Sequence, residues 1–254
     1  MEMIRTVAKA WNIPDIRKKI IFTLVMLLIF IIGSQIPVPG IDRDILAQTF
    51  DSGTGLFALF NLFSGGAFSN FTIFALSITP YITASIILQL LTIAVPSLER
   101  LAKEGTEGRK KIAQYTRYLT VILAIIQAIG VSVGLFRQAL ISTSFFDVAV
   151  IVLVLTAGTA FLMWLGEQIN EYGIGNGISL IIFAGIVSRL PSAVQEIWTK
   201  LQDGSMSIVT LIIFLIFCVL VIVGIIEVQQ GQRRIPVQYA KRVVGRKMYG
   251  GQAT

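Results

Sequence analysis

The sequence contains no histidine and a single cysteine, Cys218, among its 254 residues. These absences exclude internal disulfides, thiolate zinc sites, haem ligation by histidine and most nucleophile–base pairs. Charged residues are also scarce, at 14 %, whereas a soluble domain carries about 25 %. Apolar residues make up 55 %. The composition therefore predicts a membrane protein.

Six apolar runs are long enough to cross a hydrocarbon core about 30 Å thick, which takes about 20 residues per helix. The first run lacks a small-residue cleavage site and is followed by others, which predicts an uncleaved span. The predicted spans are 20–37, 71–95, 118–136, 146–166, 174–190 and 208–226. This pattern predicts an all-α membrane protein, a multi-spanning helical bundle.

The distribution of basic residues predicts the orientation of the chain. With a cytoplasmic amino terminus, the inner segments hold 17 of the 21 Lys and Arg residues. These inner segments are 1–19, 96–117, 167–173 and 227–254. The outer segments keep only Arg43, Arg137, Arg189 and Lys200. Because cytoplasmic loops carry an excess of Lys and Arg, we expect the amino terminus inside.

A shorter apolar stretch, residues 55–70 (GLFALFNLFSGGAFSN), lies between the first two predicted spans. Its apolar part, about 10 residues, is too short to cross the membrane. Two structures fit the residues: a re-entrant half-helix hinged at Gly65 and Gly66, or an amphipathic helix resting on the outer leaflet.

No ionisable residue lies in the middle of a predicted span, since Asp147, Glu167, Glu171 and Glu227 fall at predicted ends. Charged groups inside a bilayer are costly and mark proton relays and ion-coupled transport. Their absence disfavours a secondary transporter, an insertase and an intramembrane enzyme. We therefore expect a protein that is not an enzyme.

Two glycine-rich stretches do not match nucleotide sites. GTEGRKK at 105–111 lacks the P-loop spacing, and GIGNG at 173–177 lacks the dinucleotide fingerprint. We expect no cofactor, and energy for any directed transport must come from a partner. The glycines predict instead a tight inner turn that lets the fifth span begin close to its neighbours.

An apolar bundle can still form a pore, because rings of aliphatic side chains exclude water and ions by dewetting. However, an isoleucine on a membrane helix more often faces lipid or a neighbouring helix. The composition permits a pore without locating it. A scaffold subunit without a pore remains an alternative.

Five stretches of the sequence match motifs of one known family. ALSITPYITASIILQLLT begins at Ala75, EGTEGRKKIAQYTRY at Glu104, GEQINEYGIGNGISLIIFAGIV at Gly166 and QRRIPVQYAKR at Gln232. VPGID at Val38 also fits. These motifs resemble those of the SecY family, the pore subunits of the bacterial protein-translocation channel. The resemblance runs in order through essentially the whole chain.

The resemblance implies the first half of a SecY/Sec61-type inverted-repeat channel plus span six. Such a channel has ten spans that close like a clamshell around a central pore. The chain ends at Thr254, inside the expected loop between spans six and seven. Spans seven to ten would then be truncated, split off into another chain or unresolved.

The resemblance also implies which residues line and block the pore. Ile78 and Ile82 in the second span and Ile178 and Ile182 in the fifth match pore-ring positions, each pair spaced i, i+4 on one helix face. Residues 55–70 match the plug that blocks the outer side of the resting channel. Its predicted residues are Leu56, Phe57, Leu59, Phe60, Leu62, Phe63, Gly65 and Gly66.

The implied function is translocation of unfolded secretory proteins across the bacterial cytoplasmic membrane, and insertion of membrane proteins into it. A signal sequence on the preprotein would enter at a lateral gate formed by spans two and three against seven and eight. The plug would leave, and the chain would pass through the isoleucine ring. The resemblance implies SecE as a clamp and SecG as an accessory subunit.

The basic loop after span six resembles a docking site for the ribosome or for the motor ATPase SecA. Its residues are Arg233, Arg234, Lys241, Arg242, Arg246 and Lys247. Contacts to the phosphates of ribosomal RNA would make docking sensitive to salt. The alternative is that these charges only orient the protein and hold anionic lipid.

The predicted organisation has four parts. Residues 1–19 form a basic amphipathic amino terminus, and 20–190 hold spans one to five with the plug. Residues 191–228 form an outer loop and span six. Residues 229–254 begin the basic cytoplasmic loop.

Overall fold

The computed structural model describes residues 13–42, 64–135, 139–140, 144–232, 237–238, 242–244, 247–249 and 252–253. The helices are α1 (Pro14–Gly33), α2 (Thr79–Ala94), α3 (Pro96–Lys103), α4 (Thr106–Ile129), α5 (Phe145–Tyr172), α6 (Gly177–Ser188), α7 (Leu190–Gln202) and α8 (Ile208–Gln230). A π-helical stretch, Gly130–Leu135, follows α4. The strands are β1 (Val237–Gln238), β2 (Arg242–Val244), β3 (Lys247–Tyr249) and β4 (Gln252–Ala253).

The chain divides into two compact units, Met1–Ala193 and Val194–Thr254. In the first unit α5 is the central helix and packs against α1, α4 and α6, while α2 packs mainly on α4. Buried positions on α5, such as Ile151, Leu155 and Leu162, recur at helical spacing. This stripe forms the core side of the helix.

The chain turns sharply between α2 and α3, whose axes differ by 101°. The turn lies at Val95, which is extended at φ −108° and ψ 113°. Pro96 follows it, and a proline pushes the preceding residue out of the helical region. The sequence therefore ends α2 at this point and directs α3 away from its axis.

The prediction of a helical, multi-spanning membrane protein is confirmed, but the count of spans differs. Among the described residues, four helical stretches are long and apolar enough to cross a membrane, or five if α2 and α3 form one bent span. They are Thr106–Gly134, Phe145–Tyr172, Gly177–Gln202 and Ile208–Gln230. Helix α1 is not among them, because Asp15, Arg17, Lys18 and Lys19 lie in its first two turns.

The predicted second and fifth spans differ most from the helices. The sequence predicts a second span over 71–95, but residues 71–78 form turns and α2 begins at Thr79. Its first turn contains Pro80, whose fixed φ suits a helix start. The sequence predicts a fifth span over 174–190, but α6 covers only Gly177–Ser188 and α7 follows after Arg189.

Other boundaries shift because hydropathy detects the apolar part of a helix and not its polar turns. Helix α1 begins at Pro14 and ends at Gly33, where the prediction is 20–37. Helix α4 begins at Thr106, twelve residues before the predicted third span at 118. Helix α5 continues to Tyr172, six residues past the predicted end of the fourth span at 166.

The second unit contains α8 and the strands. None of the residues of α8 is buried within the structure, and an 18-residue stretch of it has a mean hydropathy of 3.5. Strand β1 pairs with β4 and β2 with β3, both antiparallel. Each strand is only two or three residues long, so the fold remains a helical bundle as predicted, with short paired segments after α8.

Candidate functional site

Residues 64–78, here called the central segment, form the interior of the first unit. Only Gly65, Ser69, Asn70, and Ile73 of its first eleven residues are not buried. Phe68, Phe71, Ala75 and Leu76 join one apolar cluster, and Ala67, Phe74 and Ile78 join another. The segment lies in turns, so an irregular stretch of chain fills the space between the helices.

The backbone of the central segment pairs with the chain that follows α1. The Val38 N–H donates to the Phe71 carbonyl at 3.0 Å, and the Ile73 N–H donates to the Ile36 carbonyl at 3.0 Å. Non-helical backbone at membrane depth is tolerated where it is buried in protein or lines a water-filled cavity. The surrounding helices and these bonds meet that requirement.

Phe74 anchors the central segment between α1 and α5. Its ring stacks on Phe30 at 6.1 Å and on Phe161 at 6.0 Å, measured between ring centroids. At Gly158 of α5, a Cβ atom would overlap the Ile73 carbonyl oxygen. The absent side chain therefore lets α5 and the central segment come into backbone contact.

Two non-glycine residues of the central segment have positive φ, Phe71 at 42° and Ser77 at 53°. A conformation of this kind costs on the order of 1–3 kcal/mol and persists where the surroundings hold it. Ser77 immediately precedes the predicted ring residue Ile78. One of the two strained residues therefore lies just before α2, where the central segment becomes helix.

The four predicted ring residues differ in exposure. Ile78 is 1 % exposed and Ile82 is 37 % exposed. The two residues are one helical turn apart, since the Ile82 N–H donates to the Ile78 carbonyl at 3.0 Å. Ile178 and Ile182 on α6 are both half-buried. Ile78 lies in a cluster against which Ile178 packs, so one residue of each pair is brought to the same apolar cluster.

Of the predicted plug residues, the structure describes Gly65 and Gly66. Leu56, Phe57, Leu59, Phe60, Leu62 and Phe63 lie outside the described residues. Gly65 and Gly66 have φ of 63° and 91°, which glycine adopts without steric cost. The described remainder, 64–70, packs on the end of α6: a Cβ at Gly65 would lie 2.9 Å from the Gly185 Cα.

The predicted tight turn between the fourth and fifth spans is confirmed. The Gly177 N–H donates to Asn170 Oδ1 at 2.7 Å, and the Ile174 N–H donates to Thr23 Oγ1 of α1 at 3.1 Å. A Cβ at Gly177 would overlap the Gly166 carbonyl oxygen. Asn176 caps α6 by accepting from the Ser179 N–H at 3.1 Å. These contacts fix the start of α6 against α1 and α5.

An ion pair that sequence reasoning missed joins α4 to α5. Arg117 Nε lies 2.7 Å from Glu167 Oε1, with the side chains 49 % and 25 % exposed. The two residues are 50 positions apart, and the sequence places both near the ends of predicted inner segments. No local pattern indicates that they meet.

A second contact missed by sequence reasoning joins α6 to the central segment. Arg189 Nη2 donates to Ser69 Oγ at 3.3 Å across 120 positions. The only sequence signal is the presence of an arginine among four basic residues predicted outside. That signal does not identify a partner.

The predicted docking residues fall in the second unit. Arg242 begins β2 and Lys247 begins β3, where Arg242 pairs with Tyr249 and Lys247 with Val244. Arg233, Arg234, Lys241 and Arg246 lie outside the described residues. The hairpin thus places Arg242 and Lys247 at opposite ends of one short ladder.

A sequence profile of the SecY family matches residues 72–254. The chain belongs to the SecY family. Two SecY proteins illustrate the similarity, both described as protein translocase subunit SecY. The one from Halalkalibacterium halodurans is 51 % identical and aligns with 99 % of this chain and 60 % of its own length. The one from Escherichia coli K12 is 46 % identical, with coverages of 96 % and 56 %.

Solved channel structures share the fold of this SecY-family chain. Sec61 in the canine ribosome–channel complex from the endoplasmic reticulum gives a TM-score of 0.61 at 21 % identity, covering 91 % of this chain and 54 % of that one. A structure described as that of a protein conducting channel gives 0.58 at 21 % identity, covering 97 % and 57 %. The chain therefore spans about three-fifths of the length of the curated SecY relatives, 60 % in the first case.

Proposed function

We propose that this chain supplies part of the pore subunit of a protein-conducting channel. The channel passes unfolded secretory proteins across the bacterial cytoplasmic membrane and releases membrane proteins into it, and it is not an enzyme. The observation that carries the proposal is 51 % identity over 99 % of the chain to a protein translocase subunit. The likeness to solved channels supports the same fold.

The pore is lined in part by Ile78, Ile82, Ile178 and Ile182. Support comes from the packing of Ile178 against the cluster that contains Ile78, and from the partial exposure of Ile82. Aliphatic side chains at a constriction repel water and ions yet offer no hydrogen bonds to a moving backbone. The remaining ring positions come from the part of the relatives' length that this chain does not span.

Residues 55–70 act as the plug of the resting channel. Support comes from the described part, because 64–70 packs against α6 next to the predicted ring. Gly65 and Gly66 allow the backbone to turn there. In the active channel this segment moves aside, and the signal sequence of the preprotein occupies a lateral gate to which α2 and α4 contribute.

The basic loop, with Arg233, Arg234, Lys241, Arg242, Arg246 and Lys247, docks the ribosome or SecA at the cytoplasmic face. Contacts with ribosomal RNA phosphates would weaken with salt. One structural relative is described in a ribosome–channel complex, which supports a ribosome-facing role. SecE and SecG are the proposed membrane partners, by membership of the family.

The chain lies in the cytoplasmic membrane with its amino terminus in the cytoplasm. Support comes from the charge bias, since 17 of 21 Lys and Arg residues fall in the proposed inner segments. Only the membrane location itself follows from the apolar helices. The side that each loop faces is the proposal.

Photocrosslinking in a chimeric channel tests the pore. Residues 1–254 replace the matching part of the Halalkalibacterium halodurans relative, and the chimera is assembled with that organism's other channel subunits. A photoreactive amino acid stands at Ile82, and a stalled secretory precursor is the target. We expect a crosslink to the precursor that requires a functional signal sequence.

Phe183, which is 59 % exposed on α6, provides the matched control position next to Ile182. A probe there should crosslink to lipid or to other membrane segments and not to the precursor. If the chimera translocated while the Ile82 probe met only lipid or neighbouring helices, the pore assignment would be wrong and the scaffold alternative would gain.

A further inference from the structure

The carboxyl end of α6 and the glycine turn of the central segment are in direct contact. A Cβ at Gly65 would lie 2.9 Å from the Gly185 Cα and 3.1 Å from the Gly185 carbonyl oxygen. Contact this close to the α6 backbone requires glycine at position 65. The two chains therefore meet without any intervening side chain.

Arg189 covers this contact from the end of α6. It is the C-cap residue of α6, and its guanidinium lies over Gly66, where a Cβ atom would be 2.9 Å from both Cζ and Nε. Its Nη2 donates to Ser69 Oγ at 3.3 Å. Ser69 Oγ in turn donates to the Gly66 carbonyl at 3.1 Å, so a chain of hydrogen bonds runs from Arg189 through Ser69 to Gly66.

Two further hydrogen bonds lie within the turn. The Phe68 N–H donates to Ser64 Oγ at 3.0 Å, and the Asn70 N–H donates to the Gly66 carbonyl at 3.3 Å. These bonds help the turn to keep its shape, and the hydrogen bond from Arg189 to Ser69 is a polar link between the turn and α6. The planar fork of donors in a guanidinium suits a site where one group must lie flat on a turn and reach a hydroxyl.

We propose that Arg189 is a positioning residue that holds residues 64–70 on α6, so that displacement of this segment must first break the Arg189–Ser69 hydrogen bond. The proposal rests on the proposed function, because the segment matters for transport only if it is part of the plug. Release requires the guanidinium to leave Gly66 and Ser69. Arg189 thereby sets how often the closed channel opens spontaneously.

The test measures how often the segment leaves its place in the complete, membrane-reconstituted channel. Ala67 is fully buried, with 0 % exposure, so a cysteine there reacts with a small water-soluble thiol reagent only when the segment moves. Cys218 is replaced by serine in all variants to leave one reactive thiol. The reaction rate then follows the population of the open form.

We expect Arg189→Gln to raise the reaction rate at Ala67→Cys about tenfold, because a hydrogen bond to a charged group is lost. Ser69→Ala should also raise the rate. The fold increase in the double variant should be smaller than the product of the two single-variant increases. Arg189→Lys keeps the charge but not the planar fork of donors, so its reaction rate should lie between those of the parent and Arg189→Gln. Lys200→Gln, which removes a basic residue of α7 paired with Glu196, is the control and should leave the rate unchanged.

Ion conductance of the resting channel separates this inference from the proposed function. A faster reaction with a larger ion leak supports both. A faster reaction without a larger leak supports the holding role of Arg189 and removes the plug assignment from the proposed function. An unchanged rate in Arg189→Gln, in protein whose Tm matches the parent, overturns the inference whatever the conductance shows.

Discussion

At the residue scale, the packing of the first unit depends on close contacts that Ile73 and Phe74 of the central segment make with α1 and α5. Phe74 stacks between Phe30 and Phe161, and Gly158 lets the Ile73 carbonyl lie against α5. Protein interiors are packed as densely as organic crystals, so an extra methyl group at such a contact has nowhere to go. The Ile73 carbonyl that faces Gly158 belongs to the backbone, so it cannot rotate away as a side chain would.

We expect Gly158→Ala to destabilise the channel by about 1–3 kcal/mol through overpacking against a fixed carbonyl. The measurement is the Tm of the purified complex in detergent, which should fall by several degrees. Gly224→Ala is the matched control: Gly224 also lies in a membrane helix, and nothing stands within 4 Å of its Cβ position. Equal Tm values for the two variants would show that the central segment moves to accommodate the added methyl group without loss of stability.

At the element scale, α4 and α5 are joined by a small buried residue and by an ion pair. Ala128 of α4 is fully buried in a cluster with Ile151 and Leu155 of α5, and small residues at helix interfaces let membrane helices approach closely. Arg117 and Glu167 add a polar link at 2.7 Å. The ion pair joins one turn of α4 to one turn of α5.

A double-mutant cycle with Arg117→Gln and Glu167→Gln measures this link. Since Arg117 is half exposed, we expect a coupling free energy of about 1 kcal/mol or less, weaker at high salt. The pair Lys110–Glu107, whose side chains are 74 % and 72 % exposed, is the control and should couple less. A coupling of zero at low salt would mean that the two side chains do not meet in the membrane.

At the scale of the whole molecule, the charge bias and the helix order together predict which loops face which compartment. The turn around Glu104 joins α3 to α4, and Asp203 follows α7. Both side chains are exposed. The proposed orientation places Glu104 inside the cell and Asp203 outside.

Cysteine labelling tests this orientation in intact cells that carry the Cys218→Ser replacement. Asp203→Cys should react with a membrane-impermeant maleimide, and Glu104→Cys should react only after the cells are opened. Each variant is the control for the other, because both thiols are accessible in detergent. The reverse pattern would invert the topology and move the basic loops to the outer face.

Much of the architecture could be predicted because hydropathy is a local property of the sequence. An apolar run such as α8 enters the membrane whatever its neighbours are. Likewise, Pro96 and the glycines of the α5–α6 turn set the local backbone conformation by themselves. Individual family motifs also mark Ile78 and Ile182 as candidates for the pore. Their exposures, 1 % for Ile78 and intermediate for Ile182, could not be predicted, since the exposure of a side chain depends on the elements packed around it.

The sequence by itself determined that the chain belongs in a membrane, where most of its helices lie and which loops are basic. Tertiary structure alone decided that residues 71–78 are turns and not the start of a helix, because their apolar side chains suit either conformation and only packing against α1 and α5 selects one. It also decided the pairs Arg117–Glu167 and Arg189–Ser69, 50 and 120 residues apart. Contacts over such separations arise from how the helices pack, and no local sequence pattern predicts them.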